Sequence, residues 1–201
     1  MSDSLARARL ASAARLFAKI GLPSLVLFTD EERLGDPLAA ARALPRGGMV
    51  VVRARDPAKR RDLAGSLLAV ARRRGLATLI ADDPELAVDM NASGAHFPEA
   101  RIAQAARSKA RHPALAVTCA AHSLRAVLAA QRAGADAIFL SPVFETASHP
   151  GREALSPVRA SLIARAAVKP VYALGGVDAR NAGRLSRAAF VGIAAIGALA
   201  V

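Results

Sequence analysis

The stretch Ala137-Ile138-Phe139-Leu140-Ser141-Pro142-Val143-Phe144-Glu145-Thr146-Ala147-Ser148-His149-Pro150-Gly151 changes character within a single step. Its first four residues are apolar without alternation, which suits a strand covered on both faces, as in a parallel sheet. Pro142 has no N–H to give and predicts that the ladder stops there. Beyond it come hydroxyls, a carboxylate and an imidazole. Polar side chains crowded past the carboxyl end of a parallel strand are where α/β folds place chemistry, although a polar surface loop would read the same way. Pro170-Val171-Tyr172-Ala173-Leu174-Gly175-Gly176-Val177 repeats the pattern, a buried strand running into a Gly-Gly turn.

Working outward, six more short apolar runs fit strands: Leu25–Phe28, Met49–Arg53, Thr78–Ala81, Ala95–Phe97, Leu115–Thr118 and Val191–Ile196. Ala/Leu/Arg-rich segments of helical length lie between them. Asp36-Pro37, Asp56-Pro57, Asp83-Pro84 and Ser156-Pro157 each offer an N-cap oxygen followed by proline at the first helical position. Asp178 is placed to cap another helix. Start signals a few residues after successive strands predict βα units, and eight such units predict a closed (β/α)8 TIM barrel. The alternative, a doubly wound open sheet, lacks a Gly-x-Gly-x-x-Gly after its first strand.

Only Gly197 to Val201 follow the eighth strand, so a truncated final helix is expected. Leu10, Ala13, Ala14 and Phe17 recur at helical spacing and predict an extra N-terminal helix from Leu5 to Ile20, ended by Gly21 and Pro23. Residues 1–21 are expected to pack on the barrel, in the gap left by the missing helix, and 22–201 to form a single barrel domain. The same segment is Arg- and Ala-rich, as a transit peptide would be, but lacks the apolar centre of a secretory signal.

Composition narrows the partners. With 201 residues and 53% hydrophobic side chains the chain supports one sizeable core. No apolar run reaches the roughly 18 residues that span a bilayer. The net charge of +12 invites nucleic acid, but aromatics are only 3% of the chain and the arginines are spread over nearly every helix. Arg60, Arg61, Arg72, Arg73 and Arg74, the densest group, are expected mostly on the solvent side of one helix. The basic excess therefore reads as solvated surface with some attraction for anionic substrates, and neither nucleic acid nor a membrane is expected. The single cysteine, Cys119, cannot form an internal disulfide, which suits the cytoplasm, and reads as a small core residue. Oligomeric state is left open, a homodimer included.

In a TIM barrel the loops after strands seven and eight commonly bind phosphate through backbone N–H groups. Here those loops are Gly175-Gly176-Val177 and Ala194-Ala195-Ile196-Gly197-Ala198, with Thr146 and Ser148 able to add hydroxyls. Glycine lets the backbone approach an anion closely.

With these residues in view the chain resembles the thiamine phosphate synthase family, including its thiazole tautomerase (TenI-like) branch. The resemblance covers about residues 22 to 198. It rests on Gly134-Ala135-Asp136, Ser141-Pro142-Val143-Phe144-Glu145-Thr146, Ala173-Leu174-Gly175-Gly176-Val177 and Gly192-Ile193-Ala194-Ala195-Ile196-Gly197. It implies a thiazole phosphate held by Thr146, Ser148, Gly175, Gly176, Ile196 and Gly197. For a synthase it implies a pyrimidine diphosphate as second ligand, with Arg53, Arg55 and His149 on its pyrophosphate and Mg2+ assisting. Where synthases carry Gln-x-Arg-x-Lys this chain has Val51-Val52-Arg53-Ala54-Arg55, so both charges remain and the amide does not. Asn-Asp-Arg becomes Ala81-Asp82-Asp83, with Asp82 the remaining Mg2+ ligand and Asp83 taken up as a helix cap. A second acidic ligand gives way to Arg101 within Pro98-Glu99-Ala100-Arg101, and a lysine to His149. One carboxylate beside an arginine makes a poor Mg2+ site.

His122, in Ala120-Ala121-His122-Ser123, aligns with the tautomerase histidine. A histidine at a strand's carboxyl end suits proton transfer near neutral pH, while a helix-start histidine is the plainer reading. His96, inside the fourth strand, reads as a packed residue and His112 as a loop residue. Three functions stand: a synthase, a tautomerase-like enzyme on a thiazole phosphate, and a catalytically silent phosphate-binding or regulatory barrel.

Overall fold

Eight parallel strands close into a barrel in sequence order, each paired with the next and β8 with β1. The computed structural model describes residues 3–17, 19, 21–146, 153–185, 187 and 189–201. The strands are β1 Leu25–Phe28, β2 Met49–Val52, β3 Ala77–Ala81, β4 Gly94–Phe97, β5 Ala116–Ala121, β6 Ala137–Leu140, β7 Val171–Ala173 and β8 Gly192–Ala195. Their side chains alternate between two compartments, which is why the runs carry no polar face. Val26, Phe28, Val51, Leu79, Phe139 and Tyr172 fill the bore, while Leu25, Leu27, Val50, Val52 and Ile138 face the helices. In the bore the Phe139 ring meets Phe28 edge-on and stacks on Tyr172, each with centroids 4.9 Å apart.

The helices are α1 Asp3–Arg15, α2 Pro37–Ala43, α3 Pro57–Arg74, α4 Pro84–Asp89, α5 Ile102–Arg111, α6 Leu124–Arg132 and α7 Pro157–Arg165. All four cap-proline signals act as read. Asp36, Asp56 and Asp83 accept from the N–H three residues on at 2.9, 2.8 and 3.0 Å, and Ser156 at 3.4 Å. Each such cap is worth about 1 kcal/mol. On α3 the arginine cluster divides. Arg61, Arg72 and Arg73 are exposed, whereas Arg60 and Arg74 bind the carbonyls of Ala54 and Leu44 and tie the helix ends to neighbouring loops.

Three expectations need correction. Pro142, whose bond to Ser141 is cis, does not end backbone pairing: Val143 and Phe144 donate to Leu174 and Gly175, each at 3.0 Å, carrying the β6–β7 contact onward. Asp178 caps no α-helix. Its Oδ1 accepts from Arg180 and Asn181 at 2.7 and 3.1 Å, and the chain then makes only a 3-10 turn, Ala182–Arg184. The N-terminal helix stops at Arg15, where bonds tighten to the three-residue kind at Leu16 and Phe17.

As β8 is followed by another short turn, Gly197–Leu199, two outer positions lack a full helix among the described residues. Helix α1 touches both turns and β1. It buries Leu10, Ala14 and the nearby Phe17, and Arg7 donates to the carbonyl of Ala200 at 2.6 Å. No helix of the described residues is long and apolar enough to cross a membrane.

Candidate functional site

Parallel strands deliver all their carboxyl ends to one mouth. Two adjoining cavities open there, of about 410 and 810 Å3, sharing Arg33, Thr146, Leu174, Gly175 and Ile196.

The larger cavity is bounded by both glycine turns. Gly175, Gly176 and Val177 form one wall, Ala194 to Ala198 another, with Thr146 beside them. Among the described residues, the N–H groups of Gly175, Gly176, Gly197 and Ala198 have no hydrogen-bond acceptor. Gly175 and Gly176 have φ of +89° and +66°. Their lack of a side chain has a packing cause. A Cβ on Gly176 would sit 2.3 Å from the carbonyl oxygen of Glu145, and one on Gly175 2.6 Å from Pro142. Gly176→Ala combines a left-handed alanine with that overlap and is expected to cost about 3 kcal/mol. Gly183→Ala, where the new methyl meets nothing within 4 Å, is the neutral control. Thermal midpoints of the two variants give the comparison, and equal midpoints would remove the packing argument.

His122 stands one residue past β5, just before the cap Ser123, whose Oγ accepts from Ala126 at 3.2 Å. It lines the smaller cavity with Gly175, Thr146 and Ile196. Its Nδ1 is 2.7 Å from the Ser141 carbonyl oxygen and 3.2 Å from Ser141 Oγ. A carbonyl only accepts, so in the neutral ring the proton sits on Nδ1 and Nε2 is the basic nitrogen. The His122 main chain is also held, its N–H donating to Glu99 Oε2 at 2.7 Å. Glu99→Ala should lower unfolding free energy by about 2 kcal/mol, while Glu99→Gln, which keeps an acceptor, recovers most of it. Urea denaturation of the pair tests this, and equal losses would refute it.

The β2–β4 side carries charge. Arg53 reaches into the smaller cavity, and its guanidinium makes no hydrogen bond or ion pair among the described residues. The surrounding walls strip enough water to lower its pKa, with Asp30 opposing. Arg55 also lines this cavity, but at the exposed rim its guanidinium is 3.0 Å from Glu32. Asp82 pairs with Arg101 at 2.8 Å. Asp83 caps α4 as read and lies 3.6 Å from Arg60. Ser148 and His149 lie outside the described residues.

His96 points into the bore at the cavity floor, its ring edge-on to Phe28 and Phe139. Its Nδ1 is 3.0 Å from Thr118 Oγ1. Burial, with the Arg53 charge adding to it, pulls its pKa down to about 3, so the ring is neutral. Cys119 is buried, and burial pushes its thiol up to about 12, which suits a core residue and not a nucleophile.

The model of one protein family, thiamine monophosphate synthase, matches residues 25–199. The chain belongs to the thiamine monophosphate synthase family. The matched span runs from β1 through the last turn and leaves α1 outside it. Among curated relatives, the putative thiamine-phosphate synthase 2 of Aquifex aeolicus is 31% identical over 161 residues, 78% of this chain and 86% of that protein. The thiamine-phosphate synthase of Chlorobium luteolum is 32% identical over 182 residues, covering 88% and 85%. In structure the chain resembles the thiamine phosphate pyrophosphorylase of Pyrococcus furiosus, with a TM-score of 0.71, 21% identity and coverage of 86% and 85%. At that identity the likeness shows the fold alone.

The acidic groups of this family member do not fit the Mg2+ that the resemblance implies. Asp82 is neutralised by Arg101, Glu99 is turned onto the His122 N–H, and Asp30 is gripped by Arg33 through two bonds. Burial alone would raise the Asp30 carboxyl, but Arg33 outweighs it and holds the pKa below its usual range. Among the described residues no three His, Cys, Asp or Glu come together as a metal site would need. Sequence reading missed Asp30, Arg33 and Arg60 at the cavity. The signal was present for the first two, because Thr29-Asp30 follows β1 as Ser141 follows β6.

Proposed function

We propose that this family member acts on a thiazole phosphate, holding the phosphate between the two glycine turns and moving a proton of the thiazole through His122 Nε2. The supporting observation is that His122, with its proton fixed on Nδ1 by the Ser141 carbonyl, shares a cavity with Gly175, Thr146 and Ile196. The main-chain N–H groups of Gly175, Gly176, Gly197 and Ala198 meet the phosphate oxygens, and Thr146 adds its hydroxyl. Tautomer exchange removes a proton from one substrate atom and returns it to another. A single base suffices and there is no leaving group; the negative charge left on the substrate is balanced by the imidazolium that forms on His122 until the proton is returned.

Arg53 favours a second reading, the synthase, because its guanidinium, without a hydrogen bond or ion pair among the described residues, suits a further anion such as the pyrophosphate of a pyrimidine diphosphate. Two assays separate the readings. Thiazole phosphate is incubated with the protein in D2O and deuterium uptake into the ring is followed by NMR. Pyrophosphate release is then followed with the pyrimidine diphosphate, thiazole phosphate and Mg2+. Exchange without release supports the first reading and release supports the second. Neither would leave the silent phosphate-binding barrel.

A further inference from the structure

Three adjacent strand ends, those of β2, β3 and β4, carry Arg53, Asp82 and the turn Glu99–Arg101. A divalent cation bound there would need carboxylates free to turn toward it, since Mg2+ keeps near-octahedral oxygen coordination through one or two of them plus waters and phosphate. Glu99 is held on the His122 N–H at 2.7 Å, and Asp83 is held at the start of α4. Asp82 offers Oδ2 to Arg101 Nη1 at 2.8 Å. Its Oδ1 is buried without a donor. A lone carboxylate oxygen suits one N–H donor of a ligand better than a doubly charged ion, which the Arg101 guanidinium would repel at this distance.

The cationic groups here are positioned differently. Beyond its bond to Asp82, Arg101 has no other acceptor among the described residues, and the Arg53 guanidinium has none. A guanidinium supplies five N–H donors in a planar fork and keeps its charge at any working pH. We infer that Arg101, braced on Asp82 at the wall of the cavity that Asp82 and Arg53 line, takes the electrostatic place of a divalent cation, so that a phosphorylated anion held by Arg53 there is bound without a metal ion. The inference rests on the phosphate-binding reading above. What it adds to the anion reading of Arg53 is a guanidinium where a metal would otherwise stand.

Calorimetry with inorganic pyrophosphate tests it directly on the whole chain, once in EDTA and once in excess Mg2+. Pyrophosphate should bind in EDTA, and Mg2+ should not tighten it. Arg101→Ala should weaken binding in EDTA by about tenfold, the loss of one charge-assisted contact. Mn2+ titrated alone and followed by EPR should show no site in the wild type, and Arg101→Asp, which releases Asp82 and adds a carboxylate, should create one. A tenfold gain in pyrophosphate affinity with Mg2+, or a tight Mn2+ site in the wild type, would overturn the inference. So would the absence of pyrophosphate binding under both conditions. That last result would leave the deuterium-uptake assay on thiazole phosphate untouched, so the two readings fail separately. The wild-type measurements stand even if a variant does not fold.

Discussion

His122→Ala is expected to slow deuterium uptake into the thiazole phosphate by about 10^2- to 10^4-fold, the usual contribution of a positioned general base. KM should hardly change, because in the proposed binding mode the phosphate meets main-chain groups just past β7 and β8 while His122 follows β5. A residue acting only in the transition state lowers kcat and kcat/KM together. Ser141→Ala separates orientation from chemistry. It removes the hydroxyl 3.2 Å from Nδ1 but keeps the carbonyl at 2.7 Å that sets the tautomer, so it should cost far less than the loss of the imidazole. Equal rates for wild type and His122→Ala would eliminate the proton shuttle. A rise in KM with kcat unchanged would recast His122 as a binding group.

The second large effect concerns acid stability, through His96. Its folded pKa of about 3 lies far below the 6.5 of a free histidine. Between those values the unfolded chain binds a proton that the folded chain refuses, so stability rises with pH across the window. The contribution is fully present above pH 6.5 and is lost as pH falls toward 3, at about 1.4 kcal/mol per pH unit and on the order of 5 kcal/mol in all. His96→Gln removes the titration. Whatever packing it loses against Phe28 and Phe139 is the same at every pH, so the diagnostic is slope and not offset. Urea midpoints measured from pH 7.5 to 4 should fall more steeply for the wild type than for the variant. Parallel curves would show that the buried ring does not govern the acid limb.

The barrel was legible because its signals are local. Asp-Pro and Ser-Pro caps mark the helix starts, and apolar runs such as Met49–Val52 match strands to within a residue or two. Both glycine turns were legible as candidate phosphate contacts for the same reason, because each directly follows a strand whose neighbour in the barrel is known once the order is known. Less legible were partnerships between distant residues. Nothing local to Pro98-Glu99-Ala100-Arg101 shows that Glu99 anchors the main chain of His122, 23 positions away. Arg53 and Arg55 read alike, yet one turns into the cavity without a partner and the other pairs with Glu32 at the rim. His96 read as a packed residue, which it is, but it is also the cavity floor.

Local signals were enough to read eight parallel strands closing into a barrel, and glycines just past β7 and β8. Those follow from backbone geometry and hydrophobic periodicity, which act over a few residues. The folded chain was needed to see which charges are compensated, which nitrogen of His122 faces the Ser141 carbonyl, and that α1 touches two shortened outer positions and not one. These depend on what lies within about 3 Å across the mouth, where a hydrogen bond or an ion pair forms between strands far apart in the chain.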